Sequence, residues 1–146
     1  MKEDNWKSKE ARKRLNWVDT ALRLALEVAK CRSEDPYVQV GACGIKYDKQ
    51  IILGYNGAPS GVEVDWTDRD KRRPYMVHAE SNVLDSASIG EIEILAVTLL
   101  PCQACLVRIK QHKIKKVYYL NEYEEGREDT FRMAELLDVE LIKYSK

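Results

Sequence analysis

The sequence is short of several things at once. Its 146 residues include two histidines, one phenylalanine, four prolines and seven glycines, and the 24 Lys and Arg are cancelled by 24 Asp and Glu. No apolar run approaches the roughly 20 residues that a membrane-spanning helix requires. The opening stretch MKEDNWKSKEARKRL is charged and lacks the apolar segment of a secretory signal. Together these absences point to a cytoplasmic protein. With no net positive charge the chain also lacks the footprint of a general nucleic-acid binder. Four cysteines without a signal read as thiols or metal ligands rather than as a disulfide framework. An apolar content of 45% with balanced charge excludes general disorder. The length suits one domain with a proper core.

Residues 1–15 form a polar N-terminal segment with six Lys or Arg against three acidic residues, read as solvated, with a phosphate-seeking arm as the lesser reading. From Trp17 the pattern changes. Trp17, Val18, Ala21, Leu22, Ala25, Val28 and Ala29 recur at helical spacing, and Asp35-Pro36 breaks the period. Val40–Ile45 and Ile51–Leu53 read as two strands joined by a hairpin turn at 46–50. Gly54–Gly61 is dense in turn formers and reads as a loop. The polar stretch 62–75, with its charge run Asp68–Arg73, reads as a surface insertion. Further on, the pattern predicts helices over 79–87, 103–111 and 129–137, and strands over 92–99, 116–120 and 139–144. Strands alternating with helices imply an α/β sheet with helices on its faces.

Two short segments carry chemistry: His78-Ala79-Glu80 and Pro101-Cys102-Gln103-Ala104-Cys105. Cysteines three apart at the start of a helix lie on neighbouring faces of one turn, so both can reach one ion. The helix N-terminus lowers a thiol pKa and favours the metal-binding form. A neutral imidazole completes three protein ligands, and for Zn²⁺ that leaves one tetrahedral position open, as in catalytic sites. Two thiolates and Zn²⁺ cancel in charge, so a water molecule there can ionise without great penalty. Glu80 lies close enough in sequence to His78 to serve as general acid and base. The competing readings are a redox pair, or half of a structural zinc completed by Cys31 and Cys43. The spacing of those two cysteines disfavours the second, and both read better as small packing residues. His112, near a helix end, reads as an exposed or capping residue, which leaves His78 as the third ligand.

His-x-Glu with Pro-Cys-x-x-Cys is the signature of zinc deaminases, and the chain resembles the cytidine deaminase-like superfamily. Arg32–Ala42, Gly54–Gly61, Pro74–Glu80 with Asn82, Val97-Thr98 and Ile114–Tyr118 resemble the deoxycytidylate (dCMP) deaminase family in particular, a likeness covering about residues 17–144. The resemblance implies a three-layer α/β/α sandwich with a central mixed sheet of about five strands, and a single zinc-dependent deaminase domain over 16–146. It implies hydrolysis of dCMP to dUMP and ammonia, supplying dUMP for thymidylate synthesis, by a homo-oligomer, hexamer or dimer. By the same resemblance His78, Cys102 and Cys105 bind zinc and Glu80 shuttles protons. Backbone groups at Ala79 and Pro101 hold the pyrimidine, Asn56 contacts the sugar or phosphate, Ser33 the phosphate, and Tyr123 closes over the nucleotide. Tyr55 and Gly57 belong to the loop through which relatives respond to dCTP and dTTP.

There are departures. Residues 44–77 hold neither Cys nor His, so one zinc per chain is expected where some relatives bind a second. Leu100 stands where several relatives carry Ser or Phe. Three rival readings remain: a deaminase of dCTP or 5-substituted dCMP, a deaminase of tRNA or single-stranded nucleic acid, and a zinc-stabilised binding module without turnover. The basic clusters at 7–14 and 69–73 speak for the second; neutral charge and the Gly54–Gly61 loop speak against it. The presence of Glu80 speaks against the third.

Overall fold

The structure is a computed structural model that describes residues 11–145. Of the N-terminal segment assigned to 1–15, residues 1–10 therefore fall outside the described residues, Lys7 and Lys9 of the basic cluster among them, while Arg12, Lys13 and Arg14 are described and exposed. Helix α1 (Trp17–Arg32) is capped by Asn16, whose side-chain oxygen accepts the Asp19 N–H at 2.8 Å. It buries Ala21, Leu22, Ala25 and Ala29 of the apolar stripe the periodicity predicts, while Val18 and Val28 are half-buried and Trp17, at the helix start, is exposed. After it come β1 (Gly41–Lys46) and β2 (Ile51–Tyr55), joined by a tight turn in which Lys46 N–H donates to Gln50 O at 2.9 Å. A short helix α2 (Arg69–Arg72) and a 3₁₀ turn (Arg73–Tyr75) lead to α3 (Ala79–Asp85). Then follow β3 (Ile92–Leu99), α4 (Gln103–Gln111), β4 (Lys116–Asn121), α5 (Arg127–Leu137) and β5 (Glu140–Lys143).

The strands form one mixed sheet in the order β2-β1-β3-β4-β5. The first three pair antiparallel, while β3-β4 and β4-β5 are parallel because helices cross between them. Alternate residues of the strands feed two cores. Cys43, Ile45 and Ala96 meet α1 on one face; Ala42, Leu95 and Val97 meet the side chains of α3 and α4, among them Val83, Leu84 and Leu106, on the other. The result is the expected α/β/α sandwich with five strands. Central strands β1 and β3 are covered on both faces, which is why Val40–Ile45 and Ile92–Leu99 read as apolar runs rather than as alternating ones.

Four sequence expectations need correction. The second strand continues through Gly54 and Tyr55, where turn-forming residues suggested a loop. A Cβ on Gly54 would lie 2.4 Å from the Ala79 carbonyl oxygen, so glycine is there for close approach to α3 rather than for a turn. Stretch 62–75 is not simply a surface insertion: its helix and 3₁₀ turn form one wall of the cavity described below. Of the two cysteines read as packing residues, Cys43 is buried, but Cys31 is exposed on α1 with its thiol 3.6 Å from Glu27. His112 does terminate α4, yet it is buried rather than exposed.

Candidate active site

The two chemical segments are both helix beginnings. His78 is the N-cap of α3 with Glu80 in the first turn, and Cys102 is the N-cap of α4 with Cys105 one turn in. The Cys102 sulfur accepts the Cys105 N–H at 3.4 Å, so one ligand caps the helix that carries the other. α4 starts at the carboxyl end of β3, where open α/β sheets place their ligand crevices. His78 Nδ1 lies 3.3 Å from Cys105 Sγ and 3.4 Å from Cys102 Sγ. All three ligand atoms fall within 4.8 Å of one another, the one such group among the described residues. A tetrahedral zinc with ordinary bond lengths would set each N···S pair about 3.6 Å apart, so the donor set fits zinc in type and in spacing.

Electrostatics around these atoms pull in two directions: Cys102 is held as a thiolate, while Cys105 and His78 hold protons that they must lose to bind a metal. Cys102 is lowered to about 4, chiefly by a hydrogen bond from the Cys105 thiol and also by His78, so it is a thiolate at neutral pH. Cys105 is raised because it keeps the proton the two sulfurs share. His78 is raised, first by its hydrogen bond to Cys102. Glu80 is 4% exposed, and burial pushes its carboxyl up to about 7. A carboxyl poised there can both accept and return a proton.

A lattice of hydrogen bonds holds the segments in place. Leu100 N–H donates to Asn121 O at 2.8 Å, and the Asn121 side chain donates to Thr98 O at 3.3 Å. Tyr123 hydroxyl donates to Pro101 O at 2.9 Å and lies 2.6 Å from the buried Thr130 hydroxyl. On the other side, Gly57 and Val77 exchange both backbone hydrogen bonds, at 3.1 and 2.7 Å, and Asn82 donates to Tyr55 O at 2.6 Å. A Cβ on Gly57 would displace the Glu34 side chain, whose carboxylate accepts the Ala58 N–H at 3.0 Å.

One cavity of about 330 Å³ is lined by His78, Glu80 and Cys102 together with Ala79, Asn56 and Tyr123. These are six of the sequence-predicted site residues. Cys105 and Pro101 are not among the lining residues: Cys105 lines a neighbouring depression with His78, and the Pro101 carbonyl accepts the hydroxyl of the wall residue Tyr123. Asn56 is buried and largely committed: its side-chain oxygen accepts Val40 N–H at 3.0 Å and the Ser33 hydroxyl, and its nitrogen donates to Val38 O at 2.8 Å. One amide hydrogen is left to face the cavity. Ser33 is not in the wall, because its hydroxyl is spent on Asn56. Tyr55 and Gly57 line a separate depression with Arg32, Glu34 and Ala58.

Sequence reasoning missed part of the wall: Asp35, Arg69, Arg72 and Arg73. Three arginines within five residues just ahead of His78 were the available signal. The partners that fix Arg72, which are Asp35, Tyr37 and the Trp66 carbonyl, are scattered along the chain.

An α/β/α sandwich bearing an open His/Cys/Cys zinc site beside a buried carboxylate defines a zinc-dependent hydrolytic deaminase. The chain belongs to the cytidine and deoxycytidylate deaminase family, whose zinc-binding region matches residues 15–121. It is 33% identical over 128 residues to the human deoxycytidylate deaminase, an alignment covering 80% of this chain and 71% of the human one. It is 38% identical over 113 residues to a Caenorhabditis elegans protein named "Probable deoxycytidylate deaminase", covering 71% of this chain; the match spans 57% of that relative's length. Among solved structures, a dCMP deaminase of cyanophage S-TIM5, in complex with dCMP and dUMP, superposes with a TM-score of 0.73 at 32% identity. That match covers 86% of this chain and 95% of the phage protein.

Proposed function

We propose that this chain hydrolyses dCMP to dUMP and ammonia. The observation that carries the reading is the single cavity that brings buried Glu80 against His78 and Cys102 and has an arginine-bearing wall. The names of the human and phage relatives support the choice of dCMP. His78, Cys102 and Cys105 would hold a zinc ion, which would supply a Lewis acid able to make a water molecule acidic near neutral pH. Glu80 takes a proton from the attacking water and delivers it to N3 of the pyrimidine, then takes the remaining proton from the C4 hydroxyl and gives it to the departing amine. The water oxygen ends on C4, the C4–N bond breaks, and the nitrogen leaves as ammonia.

Ala79 N–H and Pro101 O hold the edge of the base; the Pro101 carbonyl has a lone pair left beyond the one Tyr123 uses. Asn56 offers its remaining amide hydrogen to the sugar. Ser33 acts indirectly, by orienting Asn56. Tyr123, tied at its hydroxyl, forms a fixed wall over the nucleotide rather than a moving flap. Residues 16–146 work as one domain in the cytoplasm, as a homo-oligomer, dimer or hexamer, with one zinc per chain. dCTP and dTTP, where they act, bind at the depression beside Tyr55 and Gly57. Among the described residues no helix is long and apolar enough to cross a membrane.

The test is ammonia release from deoxycytidine, dCMP, dCTP and CMP, each with and without added dCTP or dTTP, with zinc quantified in the same sample. dCMP should be the best substrate and zinc should approach one per chain. Preference for dCTP, or for cytosine within single-stranded DNA, would overturn the reading.

A further inference from the structure

We infer that Arg69 and Arg73 are the residues that recognise the terminal 5′-phosphate of the substrate, and that Arg72 between them is a positioning residue. The inference rests on the nucleotide deaminase reading above and assigns its specificity to the 68–75 segment.

Three guanidinium groups line the catalytic cavity, and they are not equivalent. Arg72 is consumed by the fold. Its Nε lies 3.8 Å from a carboxylate oxygen of Asp35, its side chain is only 12% exposed, one NH donates to the Trp66 carbonyl at 2.9 Å, and its guanidinium stacks on Tyr37 at 5.0 Å. Asp35 is itself buried and fixed by the N–H groups of Tyr37 and Val38, at 2.8 and 3.1 Å. This latch pins α2 and the 3₁₀ turn against the loop between α1 and β1. Asp68 caps α2 through the N–H of Asp70, at 3.0 Å, which fixes the segment from its other end.

Arg69 and Arg73 flank the pinned residue and line the same cavity. Among the described residues neither has an ion-pair or hydrogen-bond partner of its own. Three guanidinium groups against the Asp35 carboxylate leave two positive charges, matching a phosphomonoester, which carries nearly two negative charges at pH 7. A phosphodiester carries only one. Two arginine forks also suit the three terminal oxygens of a monoester. Arg73, Met76 and His78 line the wall in succession, and the five residues from Arg73 to His78 span at most about 17 Å. The guanidinium and the metal ligand can therefore hold opposite ends of one nucleotide.

The test compares native enzyme with R69Q, R73Q, the double variant and R73K. kcat/KM is measured for dCMP and deoxycytidine, and binding of dUMP and deoxyuridine is measured by calorimetry. Loss of a charged hydrogen-bond partner costs about tenfold or more, so the dCMP-over-deoxycytidine ratio should fall about 100-fold or more in the double variant, chiefly through KM. The dUMP-over-deoxyuridine binding ratio should fall in step, and R73K should retain part of both. Ratios that stay within about threefold of native overturn the inference. So does a native enzyme that does not discriminate dCMP from deoxycytidine, or that acts equally on cytosine flanked by phosphodiesters in a short single-stranded DNA. A native enzyme inactive on all of these removes the nucleotide deaminase reading itself. Activity on dCMP with an unchanged ratio removes only the arginine assignment.

Discussion

Replacing Asn56 by alanine separates a residue that holds the site from one that merely faces it. The side chain is 6% exposed and makes three hydrogen bonds whose loss is unequal. Val38 is exposed, so its carbonyl can turn to water. The Ser33 hydroxyl is half-buried and can rotate toward the Asn56 backbone oxygen, 3.5 Å away. The Val40 N–H has no such recourse, because Val40 is buried at the entrance of β1. An orphaned buried N–H costs about 1–3 kcal/mol, and the lost packing adds about one more. Asn56→Ala should therefore lose about 2–4 kcal/mol, a drop of roughly 5–15 °C in Tm. Ser33→Ala leaves the Val40 bond intact and should lose about 1 kcal/mol or less. Thermal and urea unfolding of the two variants, with KM for dCMP measured alongside, provide the assay. If Ser33→Ala is as damaging as Asn56→Ala, or if Asn56→Ala unfolds with the native protein, the reasoning from these bonds is wrong.

Other changes follow from the same geometry. Gly54→Ala drives a methyl group against the Ala79 carbonyl, 2.4 Å away, and should cost about 2 kcal/mol or more in urea unfolding while lowering zinc occupancy through the neighbouring His78. Tyr123→Phe removes the hydroxyl that ties Pro101 to Thr130 and should lose about 1 kcal/mol of stability, with kcat falling more than dCMP affinity. Toward a thiol reagent at pH 8, Cys31 should react within the native fold. Cys43, buried and pushed up to about 12, should react only on unfolding, and equal rates for the two would contradict their placement.

Most of this was legible where the signal is local. Helix α1 announces itself by its apolar stripe, and the zinc ligands by two short motifs, each of which falls at a helix start. What stayed hidden depends on contacts between distant segments. Gly54 looked like a turn former because its partner, the Ala79 carbonyl, lies on a helix that packs against it from 25 residues further along the chain. Arg72 looked like a surface charge because Asp35, Tyr37 and Trp66 give no local sign that they converge on it. Ser33 had the right chemistry for a phosphate, but its hydroxyl is taken by a residue 23 positions away. Cys31 shares a helix with the core yet faces outward, since one turn decides which side of α1 a side chain takes.

The central claim is that Glu80 moves protons beside a zinc held by His78, Cys102 and Cys105. The direct measurement is ammonia release from dCMP by Glu80→Gln, with zinc content and thermal stability determined on the same preparation. The variant should hold zinc as the native protein does, unfold at a similar or higher temperature because an isosteric neutral amide replaces a buried carboxyl, and lose about 100-fold or more in kcat. A zinc-replete Glu80→Gln enzyme working within about threefold of the native rate would contradict the account.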